Sequence, residues 1–349
     1  MDTKKAVILS LVGLIVIAGL GTTAWVVRAY RAPLGPALQN VAPLSVPISN
    51  PVVATEIVAD SPVVPTAIPV MAQEQAQAQT GVCGETSAWN LLVLGSDAGD
   101  PRPPKGSDLI RMVRVDFPNR KVTVYAFPRE LWVDTAGLGL TNPTINATQL
   151  GTAFFEARRR SPSTNVRVAM IDGTNVTARM LANNFLISTD HYLTIDLAQV
   201  PAMVDAIGGV PINVPATIND PRVGMVIKAG QQTFNGAQFV AYARAKPDSD
   251  FARIQRNNLL LEALRQRLLD PAVWARIPQL YLQYQEVIAT DLSPEQISNL
   301  ACLLKEVPKE AILQEGIKQE WTSPGPQSGS LLWDKTKVFN RLKELGLIP

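Results

Sequence analysis

The sequence predicts an α/β domain with one core, set behind a single membrane-spanning helix. Two observations carry that expectation. An uncharged apolar run extends from Ala6 to Val27, matching the roughly 20 residues that a hydrocarbon core requires. From residue 83 to 318, short strand-like runs alternate with helix-like segments, the pattern of an α/β domain, and roughly 235 residues are ample for one core. The stretch between them, 32–82, is a third kind of chain, rich in Pro, Ala, Val and Gln.

The apolar run is longer than the h-region of a cleaved signal peptide, and no small-x-small cleavage site follows it, so it reads as an anchor. No cysteine precedes Cys83, which argues against a lipoprotein. Lys4 and Lys5 precede the run and Arg28 and Arg31 follow it, so flanking charge alone does not fix orientation. An uncleaved segment led by lysines usually keeps its N-terminus cytoplasmic, which places residues 1–31 as stub and membrane helix and the rest outside the cell membrane. Prolines at 33, 36, 43, 47, 51, 62, 65 and 69 block helix and sheet ladders, so 32–82 is expected as a semi-extended linker.

Within the domain, strands are expected at Trp89–Leu94, Leu109–Asp116, Lys121–Phe127, His191–Ile195 and Val210–Val214, from their β-branched and aromatic content. Ser293-Pro294-Glu295-Gln296 opens a helix, with Ser as cap, Pro in the first turn and Gln reaching back, and Asn235-Gly236-Ala237-Gln238 repeats this more weakly. Ile254, Leu261, Leu264 and Leu268 recur at helical spacing and define an apolar face on a helix starting near Asp250. Arg253 and Asn257 border that face, while Arg256 lies further round. Residues 319–349 form a tail, irregular from Trp321 to Gly329 and helical over Leu331–Leu345.

The net charge of +2 and the lack of a dense Lys/Arg run argue against a nucleic-acid partner. One histidine and two cysteines exclude a His-rich or four-thiolate zinc site, so a bound metal would have oxygen ligands. Asp97 follows a buried strand directly and Asp108 precedes the next one. If those strands pair antiparallel, the carboxylates converge, and paired hard oxygens suit Mg2+ beside a phosphate. As turn and capping residues they would need no ligand at all. Arg129 sits at a strand exit, and Arg244, Lys246, Arg253 and Arg256 place four cations within thirteen residues.

The order of these pieces resembles the LytR-CpsA-Psr family of cell-envelope phosphotransferases over nearly the whole domain. The resemblance rests on LLVLGSD at 91–97, GSDLIRMVRVD at 106–116, KVTVYAFPRE at 121–130 and TINATQLG at 144–151. It continues through DHYLTIDL at 190–197, VDAIGGVPINVP at 204–215, KAGQQTFNGAQFVAYARAK at 228–246 and DSDFARIQRNN at 248–258. It implies a three-layer α/β/α fold with a central mixed sheet. It also implies an enzyme that takes a glycopolymer from a polyprenyl-pyrophosphate carrier to peptidoglycan or a similar wall acceptor. On the matching positions, Asp97 and Asp108 become the ligands of Mg2+ or Mn2+. Arg129, Arg244 and Arg253 become the catalytic arginines on the pyrophosphate, with Lys246, Arg256 and Asn257 completing the pyrophosphate-binding set. Asn257 stands where the family often has Gln. Guanidinium forks and a divalent cation suit a diphosphate because charge grows on the leaving group during transfer.

Lys105-Gly106 stands where the family commonly has an arginine before the second Ser-Asp, and Lys246 replaces a second arginine. The first loop also lacks a close arginine, with Arg102 the nearest substitute. Lysine keeps charge but loses the bidentate fork. These departures motivate an alternative, a catalytically degenerate binder of lipid-linked envelope polymer. A transcription attenuator, which part of the family's name suggests, lacks the electrostatic footprint for DNA. His191 lies in a strand-like segment that the family shares as a structural piece, so a structural role is expected over that of a base. For Cys83 and Cys302, a disulfide and two free thiols both fit an extracytoplasmic domain.

Overall fold

The computed structural model describes residues 27–39, 82–96, 106–138 and 146–349. β1 (Ala88–Ser96), β2 (Ser107–Asp116) and β3 (Lys121–Ala126) form an antiparallel meander, which meets the condition under which the carboxylates before and after the first loop could converge. A hairpin of β4 (Trp132–Asp134) and β5 (Ala147–Gln149) leads into α1 (Leu150–Arg160) and α2 (Val166–Phe185). β6 (His191–Asp196) then runs parallel to β1.

A second lobe follows, made of α3 (Val200–Ala206), β7 (Val210–Val214), β8 (Ile218–Asp220), β9 (Met225–Ile227), β10 (Gly230–Phe234) and α4 (Gly236–Arg244). α5 (Asp250–Leu268) leads back past α6 (Pro271–Trp274) and α7 (Ile277–Tyr284) to β11 (Ile288–Thr290), which pairs antiparallel with β6. After α8 (Pro294–Glu306), β12 (Ile312–Gly316) runs parallel to β3. The central mixed sheet thus has six strands in the order β11-β6-β1-β2-β3-β12. Both capping boxes form: Ser293 and Gln296 exchange bonds of 3.2 and 2.9 Å, and Asn235 and Gln238 bonds of 2.9 and 3.0 Å.

Period-2 alternation divides the sheet into two faces. Leu92, Leu94, Ile110, Met112 and Tyr125 are buried against Leu150, Phe154, Met170 and Leu181 of α1 and α2. On the other face Trp89, Leu91, Val115, Phe117 and Val122 are buried with Leu303 and Val307 at the C-terminal end of α8, and Trp89 meets Phe117 edge-on at 4.6 Å. Helices therefore lie on both faces of the sheet.

Several expectations change. Apart from Val27, the apolar run 6–27 lies outside the described residues, and among those residues no helix is long and apolar enough to cross a membrane. The start of the presumed linker is docked onto the domain. Leu34 N–H donates to the Leu292 carbonyl at 3.2 Å, the Tyr192 hydroxyl to the Pro36 carbonyl at 3.1 Å, and Gln39 N–H to Asn175 at 3.0 Å, while Leu38 packs on the core. Proline-rich chain cannot join a ladder, but its carbonyls still accept bonds from a neighbouring surface. Residues 40–81 lie outside the described residues.

The boundary drawn at 318 does not divide the structure. β13 (Thr322–Pro324) pairs with β14 (Leu331–Trp333), so strands replace the expected irregular run and the first turn of the expected last helix. α9 (Lys335–Glu344) then buries Val338 and Leu342, and Leu345, Leu347 and Ile348 finish in the main core. Cys83 and Cys302 form a disulfide, joining the lead into β1 to α8.

Candidate functional site: a cationic mouth over an apolar groove

Asp108 owes its position to a β-bulge. Ser96 pairs with Ser107 and Gly95 with Leu109, so Asp108 has no partner on β1 and escapes strict alternation. Its Oδ1 accepts a bond from Arg129 Nη1, and Arg129 Nε donates to Glu130 Oε1 at 2.9 Å. Lys246 Nζ lies 3.9 Å from the same Glu130 oxygen. Four alternating charges, Asp108, Arg129, Glu130 and Lys246, therefore form one chain across the strand ends.

The backbone around Arg129 is fixed by close packing. Leu150 N–H donates to the Leu131 carbonyl at 2.8 Å and Gly151 N–H to the Arg129 carbonyl at 2.9 Å, which satisfies two donors in the first turn of α1. A Cβ on Gly151 would meet Arg129 Cβ at 2.8 Å. Gly106 has φ +83°, and a Cβ there would lie 1.8 Å from the Gly151 carbonyl oxygen. This backbone at Gly106 therefore has no room for a side chain without a shift of the Gly151 peptide.

Arg244 ends α4 and is exposed. The turn after it is pinned from both sides. Lys246 N–H donates to Asp220 Oδ2 at 2.7 Å, and Asp220 is held in turn by Arg222 at 2.7 Å. The Arg222 fork and the Lys246 amide hold the Asp220 carboxyl well below the usual range. From the other side, Arg256 bonds Asp248 at 3.0 and 3.1 Å and also donates to the Ala245 carbonyl. That fork likewise lowers the Asp248 carboxyl pKa. Arg256, one of the expected pyrophosphate-binding residues, thus holds the Lys246 turn through Nη1 and Nη2, while its Nε is buried without a partner among the described residues.

The expected apolar face of α5 is displaced. Among the described side chains the most buried are Arg253, Arg256, Asn257, Asn258, Leu260 and Ala263; Leu264 and Leu268 of the expected face pack partly buried beside Leu260 and Ala263, and Ile254 and Leu261 are also only partly buried. The first half of this helix turns polar groups inward, so hydrophobic spacing cannot find the buried side there. Arg253 does face inward, and its charge bears on Arg111 of β2. Asn257 is buried, and its Oδ1 has no hydrogen-bond partner among the described residues. Asp97 lies outside the described residues.

Between this mouth and the aromatic end at Trp89 and Phe117, the sheet face is half open. Val93, Val113, Val124 and Leu193 are only partly buried, as are Ile297, Leu300 and Leu304 of α8 above them. These side chains form a partly covered apolar strip, which runs along β1 and β2 towards the strand ends that carry Ser96 and Asp108. A separate cavity of about 500 Å³ adjoins the main core, lined by Trp132, Asp134, Asn146, Asn184, Trp333 and Lys335, and holds none of the arginines.

His191 lies at the closed end, level with Leu91, where its Nδ1 is 3.2 Å from Asp291 and its Nε2 3.1 Å from Gln296. Both ring nitrogens are therefore occupied far from the mouth, which matches the expected structural role. Glu130, Asp220 and Arg111 escaped attention in the sequence. Only Arg111 left a signal there, as a lone charge on the strand face Leu109, Arg111, Val113, Val115.

Fold and site together define an α/β protein that joins charged side chains across the ends of its central strands, with a partly covered apolar strip on one sheet face. The chain belongs to the LytR_cpsA_psr family, whose model matches residues 65–342. It is 25% identical over 194 residues to the regulatory protein MsrR of Staphylococcus aureus (strain COL), covering 54% of this chain and 52% of that protein. Against the polyisoprenyl-teichoic acid–peptidoglycan teichoic acid transferase TagU of Enterococcus faecalis it is 23% identical over 218 residues, 61% of this chain and 64% of the relative. The matches thus span between half and two thirds of these relatives. Among solved structures, the fold is similar to that of B. subtilis TagV, with TM-score 0.59 and 22% identity over 74% of this chain and 97% of the other. It is also similar to TagT bound to LIIa-WTA, with TM-score 0.56 and 16% identity over 74% and 90%.

Proposed function

We propose that this protein is an extracytoplasmic phosphotransferase that moves a glycopolymer from a polyprenyl-pyrophosphate carrier to peptidoglycan or a similar wall acceptor. The observation that carries the reading is the set of charged side chains joined across the strand ends, Asp108, Arg129, Glu130 and Lys246, on a sheet whose one face leaves Val93, Val113, Val124 and Leu193 only partly covered; such a pairing would suit a diphosphate on a hydrocarbon tail. Burying a Val or Leu side chain is worth about 1.5–3 kcal/mol, so a groove of partly covered ones gains by taking up a lipid chain. Membership of a family that includes a named teichoic acid transferase supports the same reading. The apolar run Ala6–Val27 would anchor the protein in the cell membrane, with its N-terminus cytoplasmic, in the layer where such a carrier diffuses.

In this reading Arg129, Arg244 and Arg253 hold the diphosphate oxygens, with Lys246 and Asn257 at the rim and Arg256 setting the turn that carries Lys246. An acceptor hydroxyl attacks the polymer-side phosphorus, the bond from that phosphorus to the bridging oxygen breaks, and polyprenyl phosphate leaves. The hydroxyl proton passes to solvent. No side-chain nucleophile is needed, and positioning with charge neutralisation supplies the rate.

Asp108 fits a hard divalent cation: its Oδ2 accepts no bond among the described residues and its side chain is 14% exposed. Asp108 with Asp97 would hold Mg2+ or Mn2+, which when bound neutralises charge on the diphosphate. The test is release of polyprenyl phosphate by the detergent-solubilised full chain given a polyprenyl-pyrophosphate-linked glycan, with and without chelator. Turnover that chelation abolishes and Arg253→Ala lowers at least 100-fold is expected. No turnover with any metal, and no effect of Arg253→Ala on binding, would overturn the reading. Retained lipid binding without turnover would favour the degenerate binder, the reading that Lys246 in place of an arginine motivates.

A further inference from the structure

Arg111 stands out from the cations already assigned. It lies in the middle of β2, opposite Val93 on β1 and Ala126 on β3, and is 2% exposed. Its one hydrogen bond runs from Nη2 to the Ile254 carbonyl of α5 at 3.4 Å, which is long for such a contact. Nη1 has no partner, and among the described residues no carboxylate pairs with this guanidinium. Burial, reinforced by the nearby Arg253 charge, pushes its pKa down to about 10. A buried cation with no counter-charge is expensive, and such groups persist where something else completes them.

Its place along the groove says what that is. Asp108 and Arg129 mark the mouth, Val93, Val113, Val124 and Leu193 the apolar floor, and Arg111 stands at the boundary between them, level with Val93. Building on the function proposed above, we infer that Arg111 binds the lipid-side phosphate of the carrier, the phosphate that leaves with the polyprenyl chain. A fork at this depth neutralises charge that accumulates on the leaving group, while Arg129 at the mouth holds the polymer-side phosphate. With no side chain at Gly106, the phosphate grip is shifted from the rim to the floor of the groove.

The test uses geranylgeranyl diphosphate and inorganic pyrophosphate as probes of the full chain in detergent, followed by thermal unfolding and calorimetry. Arg111→Met is expected to raise the melting temperature of the ligand-free protein, because a similar apolar volume replaces an uncompensated charge. It should also weaken geranylgeranyl diphosphate binding at least 10-fold. Arg111→Lys should restore part of the affinity, since charge returns without the fork. A ligand-free protein destabilised by Arg111→Met with unchanged diphosphate affinity would make the residue a strut for α5 and overturn the inference. If Arg129→Ala loses diphosphate affinity while Arg111→Met and Arg111→Lys do not, the inference falls and the proposed function stands. Wild-type protein that binds neither probe overturns both.

Discussion

The two faces of the central sheet are built from the same kinds of residue and finished differently. On one, Leu92, Leu94, Ile110, Met112 and Tyr125 are at most 2% exposed under α1 and α2. On the other, Val93, Val113, Val124 and Leu193 remain partly uncovered, and an arginine stands among them. A sheet that buried both faces equally would be more stable and would have nowhere to take up a chain. On the proposed function, the difference would place the work of folding and the work of binding on opposite sides of the same strands.

That contrast can be broken or sharpened by experiment. The largest effect is expected at the closed-face strand end, where Gly106→Arg restores the family's arginine but drives a Cβ into the Gly151 carbonyl. Loss of more than about 4 kcal/mol, or failure to accumulate folded protein, is expected by urea denaturation. Met112→Ala on the closed face should cost about 2–5 kcal/mol by the same measurement. Val113→Ala, its neighbour on the open face, should cost about 1 kcal/mol or less while weakening geranylgeranyl diphosphate binding several-fold. Equal costs for these two substitutions would erase the distinction between the faces.

Cys302→Ser should cost about 2–4 kcal/mol at the aromatic end of the groove, read as a lower urea midpoint that reductant reproduces in the wild type. A pH series addresses the open face alone. At neutral pH Arg111 is charged in both folded and unfolded chains, so its burial cost stands in full. As pH climbs past about 10 towards the ordinary arginine value, the folded protein sheds the proton first and the cost fades. The stability difference between Arg111→Met and wild type, at most about 3 kcal/mol, should therefore shrink across that window.

Much of this was legible in the sequence because it is local. Runs of β-branched and aromatic residues located the five expected strands, and two capping boxes announced α4 and α8. The Pro-Arg-Glu exit after β3 and the cation run after α4 pointed to residues that the fold does bring to the mouth, Arg129 and Lys246 through Glu130. The rest is long-range. Arg256 is drawn away by Asp248 and a backbone carbonyl, pairings that no spacing rule contains. The polar burial of α5 runs against the periodicity used to find it. Gly106 reads as a lost arginine until the Gly151 carbonyl is placed beside it. The docking of residues 32–39 has no periodicity at all, because a strap is held by its carbonyls and leaves no pattern in its side chains.

That strap sets a direction for the whole molecule. It meets the domain at Leu292 and Tyr192, beside His191 and the disulfide-linked lead into β1, while the cations cluster past the far end of the same strands. From Tyr192 to Asp196 the chain climbs roughly 13 Å. On the proposed anchoring of the preceding apolar run, the domain would stand on its stapled end with its charges directed away from the bilayer. A carrier lipid would then have to be drawn partly out of its leaflet to present its phosphates, and on the proposed function the partly covered face would shelter the chain during that ascent.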